Sequence, residues 1–501
     1  MIIDFNKVKS QYDIVIIGAG LAGLSTAIAL NESKQTVLIV ESGSQKYNLK
    51  INKKSDAESI NLGNWPVKNY ATKVSRTRIF GGNAVVWGGW CMELDEYDYS
   101  DKTWQKIKPE LLKSYKNAYK FLNINPIKKL PEIETFDYFE PYPINISRGN
   151  TINESREILK ISKNIDLVDQ TDLVNIDFQN NEIRTIDLKH KNEVKELNVK
   201  RLVLSTGGIE NAKLLKQFIP KELISDNVGL NFMEHPQIQI GRVLIRDSSV
   251  NKFIKMHSPP TAAHLFDDKL NIKTQKYFSG FRYKGSEARN YFVLRNSNVY
   301  QSKTLYRLRH IILTRNLFST GPISFLDIFN LSKDIIESIF LKLINLFTSY
   351  KSYSVVLHLE QEPSENNKIN LIGQNSTVLE WNFNENDLHN FNKSVGEIKS
   401  GFKKLGLIFN PKKYLSFSED ELSNYLVKNV FGIGHHMGTT KMGTSDSESV
   451  CDTDMKVHNI QNLYLNGSSV FPTGGIANPT LTIVALAWRL GEHLINEWIY
   501  F

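Results

Sequence analysis

Between residues 12 and 41 the chain runs through apolar blocks separated by glycine and polar turns. Tyr12-Asp13-Ile14-Val15-Ile16-Ile17 is short, apolar and β-branched, which predicts a strand buried on both faces. The helical run Leu24 to Leu30 follows a glycine turn, and a second strand, Thr36 to Val40, ends at Glu41. Apolar and aromatic residues at helical spacing from Asp101 to Asn123 predict an amphipathic helix beside this unit. Residues 164–205 alternate again and predict strands at Ile165–Val168, Leu173–Phe178, Ile183–Leu188 and Arg201–Leu204. Alternation at Ser354–Leu359 and Lys368–Leu371 predicts an antiparallel sheet. Near the end, Asn478-Pro479 opens the apolar run Leu481 to Leu490 and predicts a buried helix. Asn478 suits its N-cap and Pro479 its first helical position, where a missing N–H costs nothing.

Length and composition narrow the class. At 501 residues, 41% apolar and 23% charged, the chain has the make-up of a globular protein with about two domains. A formal net charge of +8 is spread along the chain rather than gathered in a tail, so no nucleic-acid partner is expected. Cys91 and Cys451 form neither a disulfide framework nor a metal cluster, and no metal is predicted. Met1 to Gln11 has no secretory pattern, and a cytoplasmic location is expected. Phe325 to Phe347 is the most membrane-like stretch. Asp327, Lys333, Asp334, Glu337 and Lys342 interrupt it and argue against a span. An amphipathic helix packed on its own domain is expected there, with membrane-surface contact as the alternative.

Candidate chemistry begins in the first turn. Gly18-Ala19-Gly20-Leu21-Ala22-Gly23 lies between a strand and a helix, and Glu41 ends the next strand. In that setting Gly18 permits the tight turn, Gly20 lets a pyrophosphate approach the backbone, and Gly23 lets helix pack on strand. Glu41 would hold ribose hydroxyls. The unit predicts a dinucleotide, NAD or FAD. Arg76-Thr77-Arg78-Ile79-Phe80-Gly81-Gly82-Asn83 leads into Trp87-Gly88-Gly89-Trp90, whose paired glycines suit a loop lying along a flat cofactor. Leu202-Val203-Leu204-Ser205-Thr206-Gly207-Gly208 is another strand meeting glycines. In Gly434-His435-His436-Met437-Gly438-Thr439-Thr440, two histidines sit in a glycine-flanked turn. A neutral imidazole near an electropositive helix start makes a site that removes a proton and steadies an anion.

These blocks, together with Asn231 to Pro236 and the Asn478-Pro479-Thr480-Leu481-Thr482 segment, resemble the glucose–methanol–choline (GMC) family of FAD-dependent oxidoreductases. The Gly81-Gly82 to Gly89 loop resembles the arm containing pyranose oxidases and bacterial sugar dehydrogenases. That resemblance implies an α/β fold, with an FAD-binding Rossmann-type domain from residues 1–100, 155–236 and 431–501. A substrate-binding domain on an antiparallel sheet would use residues 101–154 and 237–430. It implies FAD held by Gly18, Gly20, Gly23, Glu41, Arg78, Gly81, Gly82, Val174, Gly207, Gly467, Pro479 and Thr480. His435 is the implied base, by its spacing to Gly438 and Thr439, and Asn478 its partner on the substrate oxygen. His436 and Gln361 are expected to touch substrate; for Glu360-Gln361 a solvated strand end is the alternative. Relatives with covalent flavin carry a histidine just before the loop tryptophan, where this chain has Val86, so dissociable FAD is expected. The implied reaction oxidises a sugar, glycoside or polyol CH–OH, passing hydride to flavin N5 and then electrons to oxygen, a quinone or another acceptor. A non-carbohydrate alcohol, an NAD-linked reductase and a non-catalytic flavin protein are the alternatives.

Overall fold

The computed structural model describes residues 2–60, 72, 75–127, 129–130, 136–147, 150–259, 276–295, 348–373, 376–432 and 434–499, with scattered positions between 307 and 347. Its first sheet grows from the apolar blocks read above. Gln11–Ile17 lies between Val37–Val40 and Glu193–Leu204, parallel to both, with Ile14 opposite Val37 on one side and Arg201 on the other. Ile165–Val168 adds to the outer side of Val37–Val40, also parallel. Every residue of Val37–Val40 is buried, as expected of a strand covered on both faces. Beyond Glu193–Leu204 the sheet turns antiparallel through Glu182–His190 and Thr171–Gln179. Leu463–Leu465 joins the C-terminal end of Glu193–Leu204 in parallel, a strand the short apolar run did not announce.

The second sheet is antiparallel. Its order is Ile408–Pro411, Gln237–Ile245, Lys351–His358, Tyr291–Arg295, Tyr277–Tyr283, Phe139–Ile146 and Trp90–Cys91. A small third sheet holds Lys368–Ile372, Ser376–Glu380 and Glu58–Ile60. The two stretches expected to share one sheet are therefore in different ones. The reason lies between them. Glu360 N–H donates to the Asn290 side chain (2.9 Å) and Glu362 N–H to Asp387 (3.1 Å). Side chains thus take the donors that a continuing ladder would use. Trp90–Cys91 and Glu58–Ile60, drawn from residues 1–100, belong to the second and third sheets rather than the first.

The C-terminal helix, Thr480–Ile499, lies buried behind the first sheet, with Leu481, Val484, Ala485, Leu486 and Leu490 fully enclosed. Gly491 lets it approach the Leu21–Ala29 helix: a Cβ there would sit 2.5 Å from that of Ala29. The predicted amphipathic helix is Lys102–Phe121, capped by Asp101 through the N–H groups of Thr103 and Trp104. It packs on the C-terminal helix, where Tyr115 and Thr482 hydroxyls meet at 2.8 Å, although it comes from a segment expected in the other domain. Most of residues 325–347 lie outside the described residues. Phe325, Phe329, Ile336, Ile339, Leu343 and Phe347 are described as helical and exposed, so this face is not packed on its own domain. Among the described residues, no helix is long and apolar enough to cross a membrane, and no group of metal-ligating side chains is present.

Candidate active site

Three parallel strands end side by side at Ile17, Leu204 and Leu465; Gly18 follows the first at once, and Gly207 and Gly467 come three and two residues after the others. Gly18 turns with φ +104°, and a Cβ on it would lie 2.7 Å from the Ser205 carbonyl oxygen. Gly23 passes over Gly18, whose oxygen would stand 2.0 Å from an added Cβ. These two glycines serve packing. Gly20 is the N-cap of the Leu21–Ala29 helix, and no heavy atom lies within 4 Å of where its Cβ would be. Gly207 (φ +91°) is equally open, and Gly467 (φ +103°) meets only Ala22, at 3.8 Å. Gly81 N–H donates to the Ala19 carbonyl (2.9 Å), and Gly82 abuts Gly20. The result is a side-chain-free cradle at a helix N-terminus beyond the carboxyl ends of a parallel sheet, a shape and polarity that fit a pyrophosphate.

The neighbouring side chains brace this cradle. Glu41 is buried and accepts from Ala19 N–H (2.8 Å) and Gly43 N–H (2.6 Å), while burial raises its pKa. Each guanidinium nitrogen of Arg78 donates within the protein, to Ser55 (2.5 Å), Ser42 (2.9 Å) and Glu210 (3.2 Å). Arg76 also binds Glu210, at 2.9 Å. Arg78 thus ties the loop to the Glu210–Phe218 helix, with one hydrogen bond from each guanidinium nitrogen made within the protein. Val174 falls at a bulge: Leu173 pairs with Leu188 and Asn175 with Asp187, which leaves Val174 without a partner in the register.

A buried carboxylate organises the histidine turn. Glu234 accepts from the N–H groups of His235 (2.9 Å), His435 (2.8 Å) and Gly434 (3.0 Å), pinning two distant segments together. Gly208 supports the same turn, since a Cβ there would stand 2.2 Å from the His436 carbonyl oxygen. The rings of His235 and His435 meet edge to face, Nδ1 to Nδ1, at 3.0 Å. Nε2 of His235 lies 2.7 Å from the Gly475 carbonyl oxygen. A carbonyl only accepts, so this nitrogen carries a proton. Burial lowers the His235 pKa to about 4, so at neutral pH its Nδ1 holds a lone pair. The bond between the rings then requires the proton on Nδ1 of His435, which leaves Nε2 of His435 as the lone-pair nitrogen. That atom faces the Asn478 amide nitrogen at 3.4 Å. Burial, followed by the charges of His235, His436 and His358, holds the His435 pKa well below the usual histidine value.

Other expected residues fall elsewhere. The cavity beside Asn478 is lined by His235, Tyr291, His358, Leu359, Ile476 and Asn478. Neither histidine of the turn is among them: His435 meets the lining residues His235 and Asn478, whereas the His436 ring packs against Phe232 and its Nε2 lies 3.9 Å from Glu234. Gln361 is fully buried, donating to the Asn382 carbonyl (2.9 Å) and accepting from Trp381 (2.6 Å) and Glu234 N–H (3.1 Å). Its amide is committed to the framework, and Glu360 is buried against Arg289 at 3.0 Å, so neither is a solvated strand end. The start of the C-terminal helix also shifts by one residue. Its first bond runs from Ile483 N–H to the Pro479 carbonyl (2.8 Å), and the Asn478 amide turns to His435 instead of capping. Pro479 and Thr480 keep the helix's electropositive end beside the cavity. His358 and Tyr291 were not anticipated; the one signal for His358 was a histidine within an otherwise apolar strand pattern, Val355 to Leu359.

A family model described as GMC oxidoreductase matches residues 376–487, and one described as pyridine nucleotide-disulphide oxidoreductase matches residues 12–229. C-glycoside 3-oxidase of Arthrobacter globiformis is 47% identical over 64 residues, 13% of this chain. Pyranose 2-oxidase of Tricholoma matsutake is 41% identical over 66 residues, also 13% of this chain. The matched stretch spans 12% of the length of each of these curated relatives. The solved structure of pyridoxine 4-oxidase from Mesorbium loti superposes with a TM-score of 0.62, covering 96% of this chain and 99% of that one. At 13% identity that likeness is one of fold. The GMC match covers His435, Asn478 and Gly467, and the second match covers the other glycines of the cradle, so the chain is similar to GMC oxidoreductases at both ends of the site, with FAD as its cofactor.

Proposed function

We propose that this protein oxidises a CH–OH group of a sugar, glycoside or polyol to the corresponding carbonyl, with His435 as base and Asn478 as its partner. The observation that supports this most is the imidazole pair. His235, anchored on Gly475, directs the His435 lone pair to Nε2 beside Asn478, so a hydroxyl placed there loses its proton to a neutral ring. The Asn478 amide, 3.4 Å from that nitrogen, steadies the developing alkoxide and aligns the carbinol carbon. The N-terminus at Pro479-Thr480 adds a fixed positive potential where negative charge accumulates during reaction. FAD, when bound, supplies the acceptor for the hydride that leaves that carbon. Gly20, Gly207, Gly467 and the Gly81-Gly82 loop would hold it, with Val174 at the adenine end. Val86 offers no nucleophile for a covalent link, so the flavin is held without one.

The carbohydrate side of the proposal is supported by relatives named as a C-glycoside 3-oxidase and a pyranose 2-oxidase. Glu41 on the glycine turn and His435 on the proton make the dinucleotide and substrate ends separable. The test is a panel of pyranoses, glycosides and polyols mixed anaerobically with yellow holoprotein. Bleaching of the flavin by at least one carbohydrate or polyol is expected. Full flavin content with no bleaching across the panel, but bleaching by a plain aryl or alkyl alcohol, moves the substrate class to non-carbohydrate alcohols.

A further inference from the structure

The cavity beside Asn478 holds a second polar group that alcohol oxidation does not use. His358 ends the Lys351–His358 strand, is 3% exposed and lines the cavity together with Asn478. Its Nε2 is buried and has no hydrogen-bond partner among the described residues. Buried polar atoms are normally satisfied, so an orphan on a residue that lines a cavity beside Asn478 leaves room for a partner that a ligand would bring. The ring is locked: it stacks on Tyr291, its cross-strand neighbour, with centroids 4.5 Å apart and planes at 20°. Trp90, from the glycine–tryptophan loop, approaches its other side at 6.0 Å. Such a ring keeps one orientation without substrate, which is how a specificity contact is pre-organised.

The ring's charge state narrows the ligand. Burial, with Arg295 and His235 nearby, holds the His358 pKa well below the usual histidine value, so the ring is neutral. A neutral imidazole has one N–H donor and one lone-pair acceptor, roles that a hydroxyl can match in either direction. Asn478 and His358 therefore offer two neutral polar groups on one small cavity whose other lining residues are His235, Tyr291, Leu359 and Ile476. We propose that His358 hydrogen-bonds a second hydroxyl of the substrate, neighbouring the one oxidised, and that the protein selects vicinally hydroxylated rings over simple alcohols. This rests on the alcohol-oxidation reading. It adds a positioning contact that His435 and Asn478 do not supply.

The test compares trans-1,2-cyclohexanediol with cyclohexanol in anaerobic flavin reduction by wild-type holoprotein, His358→Leu and His358→Gln. Wild type is expected to reduce faster with the diol by about 10- to 100-fold in kcat/KM, because a site built for a hydroxyl penalises its absence. His358→Leu should lose that preference, read as a fall in the diol-to-cyclohexanol ratio of kcat/KM at unchanged FAD content. His358→Gln, which restores a polar atom, should recover part of it. A diol-to-alcohol ratio in His358→Leu equal to wild type overturns the inference and leaves alcohol oxidation standing. Wild-type flavin that neither cyclic alcohol nor any pyranose bleaches overturns both.

Discussion

Which nitrogen of His435 carries the proton is decided by a residue that does not touch it through the substrate. His235 spends its Nε2–H on the Gly475 carbonyl and so must accept at Nδ1 from His435. Charge follows from the same burial. Because the folded His435 pKa lies well below that of a free histidine, its neutral, proton-accepting form persists as pH falls through about 6.5. The rate of flavin reduction should therefore be flat from pH 8 to below 6.5 and decline only at more acid values. A decline centred at or above pH 6.5 in stopped-flow measurements would mean that the base is a solvated histidine. Much at this scale was hidden in the sequence. Spacing to Gly438 and Thr439 singled out His435 over His436, but Glu234, which holds the Gly434 and His435 backbone N–H groups, reaches them from two hundred residues earlier. Gln361 looked like a substrate group because nothing local announces that Trp381 and Asn382 will claim its amide.

Elements were legible where their cause was local. The roles of Gly18, Gly20 and Gly23 follow from a strand, a turn and a helix within thirty residues, and the open and crowded sides of that turn fall where they should. Replacing Gly20 with Val puts a branched side chain into the cradle, and the purified variant is expected to have lost most of its FAD. Full flavin absorbance in Gly20→Val would show that the dinucleotide lies elsewhere. The start of the C-terminal helix was harder, since an Asn before Pro reads as a cap until His435 arrives from another segment. Asn478→Asp separates those roles. A carboxylate at 3.4 Å from Nε2 favours the protonated ring and repels a developing alkoxide, so a folded, yellow protein should reduce its flavin about 10²-fold or more slowly. Near-normal reduction in Asn478→Asp would assign Asn478 a purely structural role.

At the scale of the molecule, the sequence divides less cleanly than the sheets do. Residues 1–100 contribute strands to all three sheets, and Lys102–Phe121 packs on the C-terminal helix. Pairings such as Trp90 with Ile146 join segments that no local pattern connects, so only the assembled fold reveals them. One consequence is that the tryptophan loop reaches both the cofactor cradle and the cavity wall, with Val86 just before its first tryptophan. Acid precipitation is expected to leave FAD in the supernatant; yellow colour that stays with the denatured chain would contradict non-covalent binding.

The assignment of His435 as base is tested most directly by single-turnover flavin reduction in His435→Ala and His436→Ala, with the best substrate of the carbohydrate panel. Both variants should remain folded and retain FAD, because neither side chain lines the glycine cradle. His435→Ala should slow reduction by roughly 10²–10⁴-fold, the usual cost of losing a general base. His436→Ala, whose ring packs against Phe232 away from the cavity, should stay within about tenfold of wild type. A His435→Ala protein that bleaches at the wild-type rate, or a reversed order of the two, would contradict the assignment.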